Sequence, residues 1–220
     1  MSGLTTTGAT VLSDLDKLPP SINLWRGLLE WLGGMGIIVL AVAILPLLGV
    51  GGRQIYKAET PGPMKDTKLT PRITETAKGL WLVYAGITTA CIVAFRLAGM
   101  DWLDAIVHSF TTIGLGGFST HDASYGYFNS PVIEAITIFF MVVAGLNFAT
   151  HFLAWRGLSL APYRHDPEAR WLLIVALASS AGLALFLWLK GVYPDYLTAL
   201  RFATFNTIGW NDLPDGSRLK

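Results

Sequence analysis

Four stretches of this chain carry no Asp, Glu, Lys or Arg: Trp31 to Val50, Gly79 to Phe95, Ala135 to Trp155, and Trp171 to Leu189. Each approaches the roughly 20 residues that a helix needs to cross about 30 Å of hydrocarbon. A helix on the surface of a soluble protein keeps a polar face, because only one side of it meets a core. Four uncharged runs together therefore call for a bilayer as solvent. The chain as a whole agrees, with 52% hydrophobic and 14% charged residues, outside the range of ordinary soluble domains. The expectation is an all-α membrane protein with four spanning helices.

Several function classes drop out early. A net charge of +1 offers no concentrated basic face for nucleic-acid phosphates. The single cysteine, Cys91, sits inside an apolar run, so no disulfide framework or cysteine metal site can be assembled, and packing is its expected role. Residues 1–10 are small and polar and lack the charged and apolar regions of a signal peptide. The chain is expected to open mid-architecture, as a fragment.

Charge along the chain sets an orientation. Arg53, Lys57, Lys65, Lys68, Arg72 and Lys78 fall between the first two runs, and Arg156, Arg164 and Arg170 between the last two. The positive-inside rule makes both connections cytoplasmic. From Gly99 to Pro131 there is no Lys or Arg, only Asp101, Asp104 and Asp122, which assigns that segment to the outer side. Pro61-Gly62-Pro63 and Pro71 are expected to break any continuous helix in the first connection.

The segment between spans two and three is the informative one. Trp102 to Thr112 is apolar but about half the length of a crossing. It runs into Ile113-Gly114-Leu115-Gly116-Gly117-Phe118-Ser119-Thr120. Irregular backbone at membrane depth survives only where it lines a wet cavity or is buried in protein, so the reading is a re-entrant pore helix and loop. Related patterns occur at Leu4-Thr5-Thr6-Thr7-Gly8-Ala9-Thr10 and at Phe205-Asn206-Thr207-Ile208-Gly209-Trp210-Asn211. With Gly8, Gly117 and Gly209 as register marks, the loops stand 109 and 92 positions apart, the mark of a divergent internal repeat.

Backbone carbonyls can replace the hydration shell of a cation where the chain points them inward, and glycine makes the required dihedrals accessible. A short helix ending at such a loop directs its negative dipole end toward the ion. Threonine hydroxyls at Thr5, Thr6, Thr7, Thr10, Thr111, Thr112, Thr120, Thr204 and Thr207 can brace the loops or add oxygen ligands. Asp14, Asp16, Asp101, Asp104 and Asp122 are read chiefly as solvated loop residues. Arg96 and Glu134 are read as snorkelling to water from span ends, and Trp25, Trp31, Trp102 and Trp155 as interfacial anchors. Close helix packing accounts for Gly33, Gly34 and Gly36.

Thr6-Thr7-Gly8-Ala9-Thr10, Trp31-Leu32-Gly33-Gly34-Met35-Gly36-Ile37-Ile38, Pro61-Gly62-Pro63 and Gly116-Gly117-Phe118-Ser119-Thr120-His121-Asp122 resemble motifs of the Trk/Ktr/HKT potassium transporters, nearest the Trk membrane subunits. The resemblance implies repeated helix, pore-helix, filter-loop and helix units of the potassium-channel-like type, incomplete in this chain. On that pattern residues 1–50 end a first unit, 51–76 are a cytoplasmic linker, 77–155 are a complete second unit, 156–170 are a cytoplasmic loop, and 171–220 begin a third. The resemblance also implies potassium as the transported ion, a homodimer surrounded by membrane lipid in the inner membrane, and a cytosolic nucleotide-binding regulatory partner. Carried over by motif, the ion-facing residues are Thr6, Thr7 and Gly8, then Leu115, Gly116 and Gly117, then Thr207, Ile208 and Gly209. Trp210-Asn211-Asp212 departs from the family's aromatic and small hydroxyl residues, which makes Gly209 the weakest of the three marks.

A different class, an intramembrane enzyme, would need His108, His121, His151 or His165 to ligate a metal or carry protons. No two of them stand at helical i, i+4 spacing. A non-conducting subunit that keeps the pore-loop fold is the other alternative.

Overall fold

The computed structural model of the chain describes residues 1–44 and 69–208. Arg53, Lys57, Lys65, Lys68, Pro61-Gly62-Pro63, Gly209 and Trp210-Asn211-Asp212 lie outside the described residues, as does the end of the first apolar run.

All regular structure among the described residues is helical. Helix α1 is Pro20–Ile44, α2 is Leu69–Leu97, the short α3 is Trp102–Gly114, and α4 is Pro131–Gly145. They are followed by α5 (Phe148–Gly157), α6 (Ala161–His165), α7 (Pro167–Leu189) and α8 (Tyr196–Ile208). Two of the apolar runs form single helices long enough to cross a bilayer, within Lys78–Leu97 and Pro167–Leu189. Pro71 does not break α2. It stands in the first turn, where a missing N–H costs nothing because no helical acceptor precedes it.

The third run, Ala135 to Trp155, departs from the expectation of one continuous span. It is two helices, α4 and α5, bent by 95°. After Gly145 the chain turns extended at Leu146, with φ −79° and ψ 153°, and the Asn147 carbonyl starts the next helix by accepting from Thr150 and His151 N–H. The His151 ring takes up a carbonyl at the break, with Nε2 at 2.8 Å from Val143 O, and Nδ1 at 2.6 Å from the Tyr163 hydroxyl. Backbone polar groups released by a broken helix must be satisfied internally, and these bonds do so. Charge counting missed the break because Gly, Asn and His carry no formal charge.

The core lies where α2, α3 and α4 meet, around Tyr84, Cys91, Phe95, Met100, Ile113, Tyr125 and Phe140. Trp31 belongs here rather than at an interface. Its ring packs against Trp81, Tyr84 and Phe110, its Nε1 donates to Thr88 Oγ1 at 2.9 Å, and its carbonyl accepts from the Tyr84 hydroxyl at 2.8 Å. Trp25, Trp102 and Trp155 stay exposed, as interfacial residues would be.

Glycine lets α1 approach its neighbours closely. A Cβ on Gly33 would lie 2.3 Å from Leu4 O, and one on Gly34 would lie 2.5 Å from Gly114 Cα. Among the described residues, the atom nearest a Cβ on Gly36 would be Leu32 Cβ at 3.9 Å, an ordinary contact. Farther along the chain, Ala184 of α7 packs on Ala199 and Ala203 of α8, small residues that allow close helix contact in a membrane.

Glu134, expected to snorkel, is instead buried in the first turn of α4. It forms a two-pronged pair with Arg201 of α8, at 2.6 Å from Nε and 2.8 Å from Nη2. A forked arginine–carboxylate pair is strong and directional, and this one ties α4 to α8.

Two substitutions in the whole protein test this packing. Gly33→Ala should lower stability by about 1–3 kcal/mol, read as a lower unfolding midpoint, since the obstacle is backbone. Arg201 is 34% exposed, so Glu134→Gln should cost on the order of 1–2 kcal/mol, less than the loss from a fully buried pair.

Candidate functional site

Helix α3 starts where Asp101 accepts the Asp104 N–H at 2.7 Å, an N-cap that satisfies one of the helix's free donors. It stops at Gly114. Leu115 then adopts φ 54° and Gly117 φ 84°, with Gly116 between them on the ordinary side. Leu115 N–H donates to Thr112 O at 3.4 Å, and Gly116 N–H to Thr111 O at 3.0 Å. This is the Schellman way of ending a helix, with a left-handed residue just past the end.

The first loop repeats the geometry at the same 109-residue offset. Thr6 has φ 49° and Gly8 φ 72°, with Thr7 between them on the ordinary side. Thr6 N–H donates to Gly3 O at 3.1 Å and Thr7 N–H to Ser2 O at 3.0 Å. A positive φ is unusual for threonine and leucine, so its recurrence at matched positions reflects a shared backbone path. Alternating handedness turns alternate peptide planes over, which allows successive carbonyls to face one side.

The third set differs. Thr207 and Ile208 lie in the last turn of α8, although the register pairs them with Leu115 and Gly116, which are already past the end of α3. The first two loops are brought together: a Cβ on Gly3 would touch the Phe118 ring at 3.2 Å.

Helix α1 braces both loops. The buried Arg26 reaches Thr10 Oγ1 of the first loop at 3.4 Å and Ser119 O of the second at 3.4 Å, and its guanidinium lies 4.5 Å above the Phe118 ring. One turn later, the fully buried Glu30 accepts the Phe118 N–H at 3.2 Å through Oε2. Sequence reading passed over both residues because they precede the uncharged run; their i, i+4 spacing in a membrane-bound helix was the available signal.

The aspartates read as solvated are mostly structural. His121 bridges Asp16, beyond the first loop, and Asp104, in the first turn of α3, with Nε2 at 3.1 Å from Asp104 Oδ2. Thr120 donates to the other Asp104 oxygen at 2.6 Å, and Asp122 accepts the Leu15 N–H at 3.1 Å. The His121 ring stacks on Tyr127 at 3.5 Å. Burial alone would lower the His121 pKa, but the hydrogen bonds and charges of Asp16 and Asp104 carry it above the ordinary value. The His121 hydrogen bond in turn holds Asp16 below the usual carboxylate range. Of the other histidines, His108 sits between Asp104 O and Ser119 Oγ at 2.9 and 3.0 Å, and His165 Nδ1 bonds Ala161 O at 2.9 Å.

A short helix that ends in a left-handed turn, a second turn on the same backbone path, and long apolar helices around them define a pore-loop membrane protein. The model of the TrkH family, described as cation transport protein, matches residues 1–217. The Trk system potassium uptake protein TrkH of Halomonas elongata is 54% identical over 207 residues, covering 94% of this chain and 43% of that protein. The protein of the same name from Salmonella typhimurium is 55% identical with the same coverage of 94% and 43%. The crystal structure of the potassium transporter TrkH from Vibrio parahaemolyticus superposes with a TM-score of 0.78 at 47% identity, covering 94% of this chain and 42% of that one. The chain belongs to the TrkH family of cation transport proteins and spans under half the length of these relatives. It is a multi-pass protein of the cell inner membrane.

The His121 bridge makes stability depend on pH from two sides. With a raised pKa in the fold, protonated His121 contributes fully below its ordinary value of about 6.5 and loses that contribution as pH rises through the raised value. Asp16, with a lowered pKa, contributes above its ordinary range and loses that contribution as pH falls through the lowered one. His121→Gln should flatten the alkaline side of a plot of unfolding midpoint against pH and lower the midpoint near pH 6.

Proposed function

We propose that the whole protein to which this chain belongs takes up potassium across the inner membrane, as the membrane subunit of a Trk-type system. The observation that carries this reading is the repeated loop geometry. Two loops 109 residues apart share the same left-handed positions and the same helix-ending hydrogen bonds, inside a chain of the TrkH family. Carbonyls of Thr6 and Thr7, with Gly8, and of Leu115 and Gly116, with Gly117, are the proposed ligands of the dehydrated ion. Thr207, Ile208 and Gly209 are the proposed contribution of the third unit. No covalent chemistry is involved, and potassium is cargo rather than cofactor.

Potassium moves down its electrochemical gradient in this scheme. The dipole ends of the pore helices favour a cation without placing a carboxylate in its path. The whole protein is proposed to be a homodimer in lipid, opened from its cytoplasmic side by a nucleotide-binding regulatory subunit. The names of the relatives, Trk system potassium uptake proteins, support a multi-component system.

Rubidium uptake by the whole protein, in cells without other potassium uptake, is the direct test. Uptake should be robust, poorly inhibited by sodium, and reduced at least tenfold by Gly117→Asp, which sets a charged side chain at φ 84°. Correctly inserted wild-type protein that takes up no rubidium would favour a non-conducting subunit.

A further inference from the structure

Glu30 stands behind the second loop rather than in it. Its side chain is fully buried, and its carboxylate fills the space that a side chain on Gly116 would need, since a Cβ there would lie 2.3 Å from Glu30 Cδ. Oε2 accepts the Phe118 N–H at 3.2 Å. In a trans peptide the N–H and the preceding C=O point in opposite directions, and the chain has no cis peptide bond among the described residues. An N–H held toward α1 therefore obliges the Gly117 carbonyl to face away from α1.

We propose that Glu30 is a positioning residue for ion selection: it pins the Phe118 N–H and so turns the Gly117 carbonyl toward the side where an ion would sit. This rests on the reading of the loops as a potassium filter. Arg26, one helical turn earlier, fixes the next stretch by reaching Ser119 O and covering the Phe118 ring, and holds Thr10 of the first loop with the same guanidinium. Both residues belong to the helix that follows the first loop, so one unit sets the carbonyl direction of the next. A carboxylate suits the task because its oxygens accept and, unlike an amide, it carries no NH₂ to turn toward the Phe118 N–H. An amide in its place could also present its NH₂ to the Phe118 N–H, which would release the peptide to rotate.

Two readouts on the whole protein in lipid separate this role from general support of the fold. The first is hydrogen exchange of the segment 115–121. Glu30→Gln should speed exchange of the Phe118 amide at least tenfold, while the segment 80–95 of α2 keeps its wild-type protection. The second is the sodium concentration that halves rubidium uptake, which should fall at least fivefold. Glu30→Asp, which draws the carboxylate back by one methylene, serves if Glu30→Gln does not insert, and should move both readouts the same way. Unchanged Phe118 exchange in an inserted variant would overturn the proposal. Faster exchange with unaltered sodium competition would overturn the link to selection. If the wild-type protein carries no rubidium, the transport reading fails on its own, while the exchange measurement still decides whether Glu30 holds the peptide.

Discussion

A main chain that leaves the helix at membrane depth must find a partner for every N–H and C=O it releases, because hydrocarbon offers none. Much of the architecture follows from that requirement. At the end of α3, the released donors of Leu115 and Gly116 fold back onto Thr112 and Thr111, and that of Phe118 goes sideways to Glu30. At the end of α4, the Val143 carbonyl is taken by the His151 ring and by the Leu146 N–H. Both departures are met by a turn and by a buried polar side chain, Glu30 in one case and His151 in the other.

The same requirement explains why the units are not independent modules. The second loop is held by Arg26 and Glu30 of α1, which belongs to the unit before it. Helix α8 is held by Glu134 of α4, through Arg201. His121 joins the segment after the first loop to the start of α3. Each tie joins segments far apart in the chain and uses at least one acidic or basic side chain. The glycines of α1 make the first tie geometrically possible, because a helix bearing larger side chains at positions 33 and 34 would stand off from the loops.

How much of this was legible in the sequence depended on the kind of signal. Hydropathy found the membrane and two single spans, and glycine spacing found the repeat with the offset that the backbone dihedrals obey at Gly8 and Gly117. Polar residues were harder. Glu134 near a span end has the same signature whether it snorkels or pairs, and its partner Arg201 lies 67 positions away. Trp31 at the head of an apolar run reads as an interfacial residue unless Trp81, Tyr84 and Phe110 are known to surround it. The break at Leu146 was hidden because a hydropathy window cannot tell an apolar helix from two apolar helices at an angle. Thr207 and Ile208 were carried over by motif, and a motif does not say where a particular helix stops.

The two matched loops hold one backbone path with different side chains, Thr6-Thr7-Gly8 in one and Leu115-Gly116-Gly117 in the other. Where chemistry is assigned to the main chain, side chains are released from the duty of carrying it and become free to serve their own surroundings. Duplicated units can then drift apart in letters while each remains interchangeable in shape. Such a protein would outlast most methods of recognising its internal symmetry by sequence, and the last trace to fade would be the places where the chain turns left-handed.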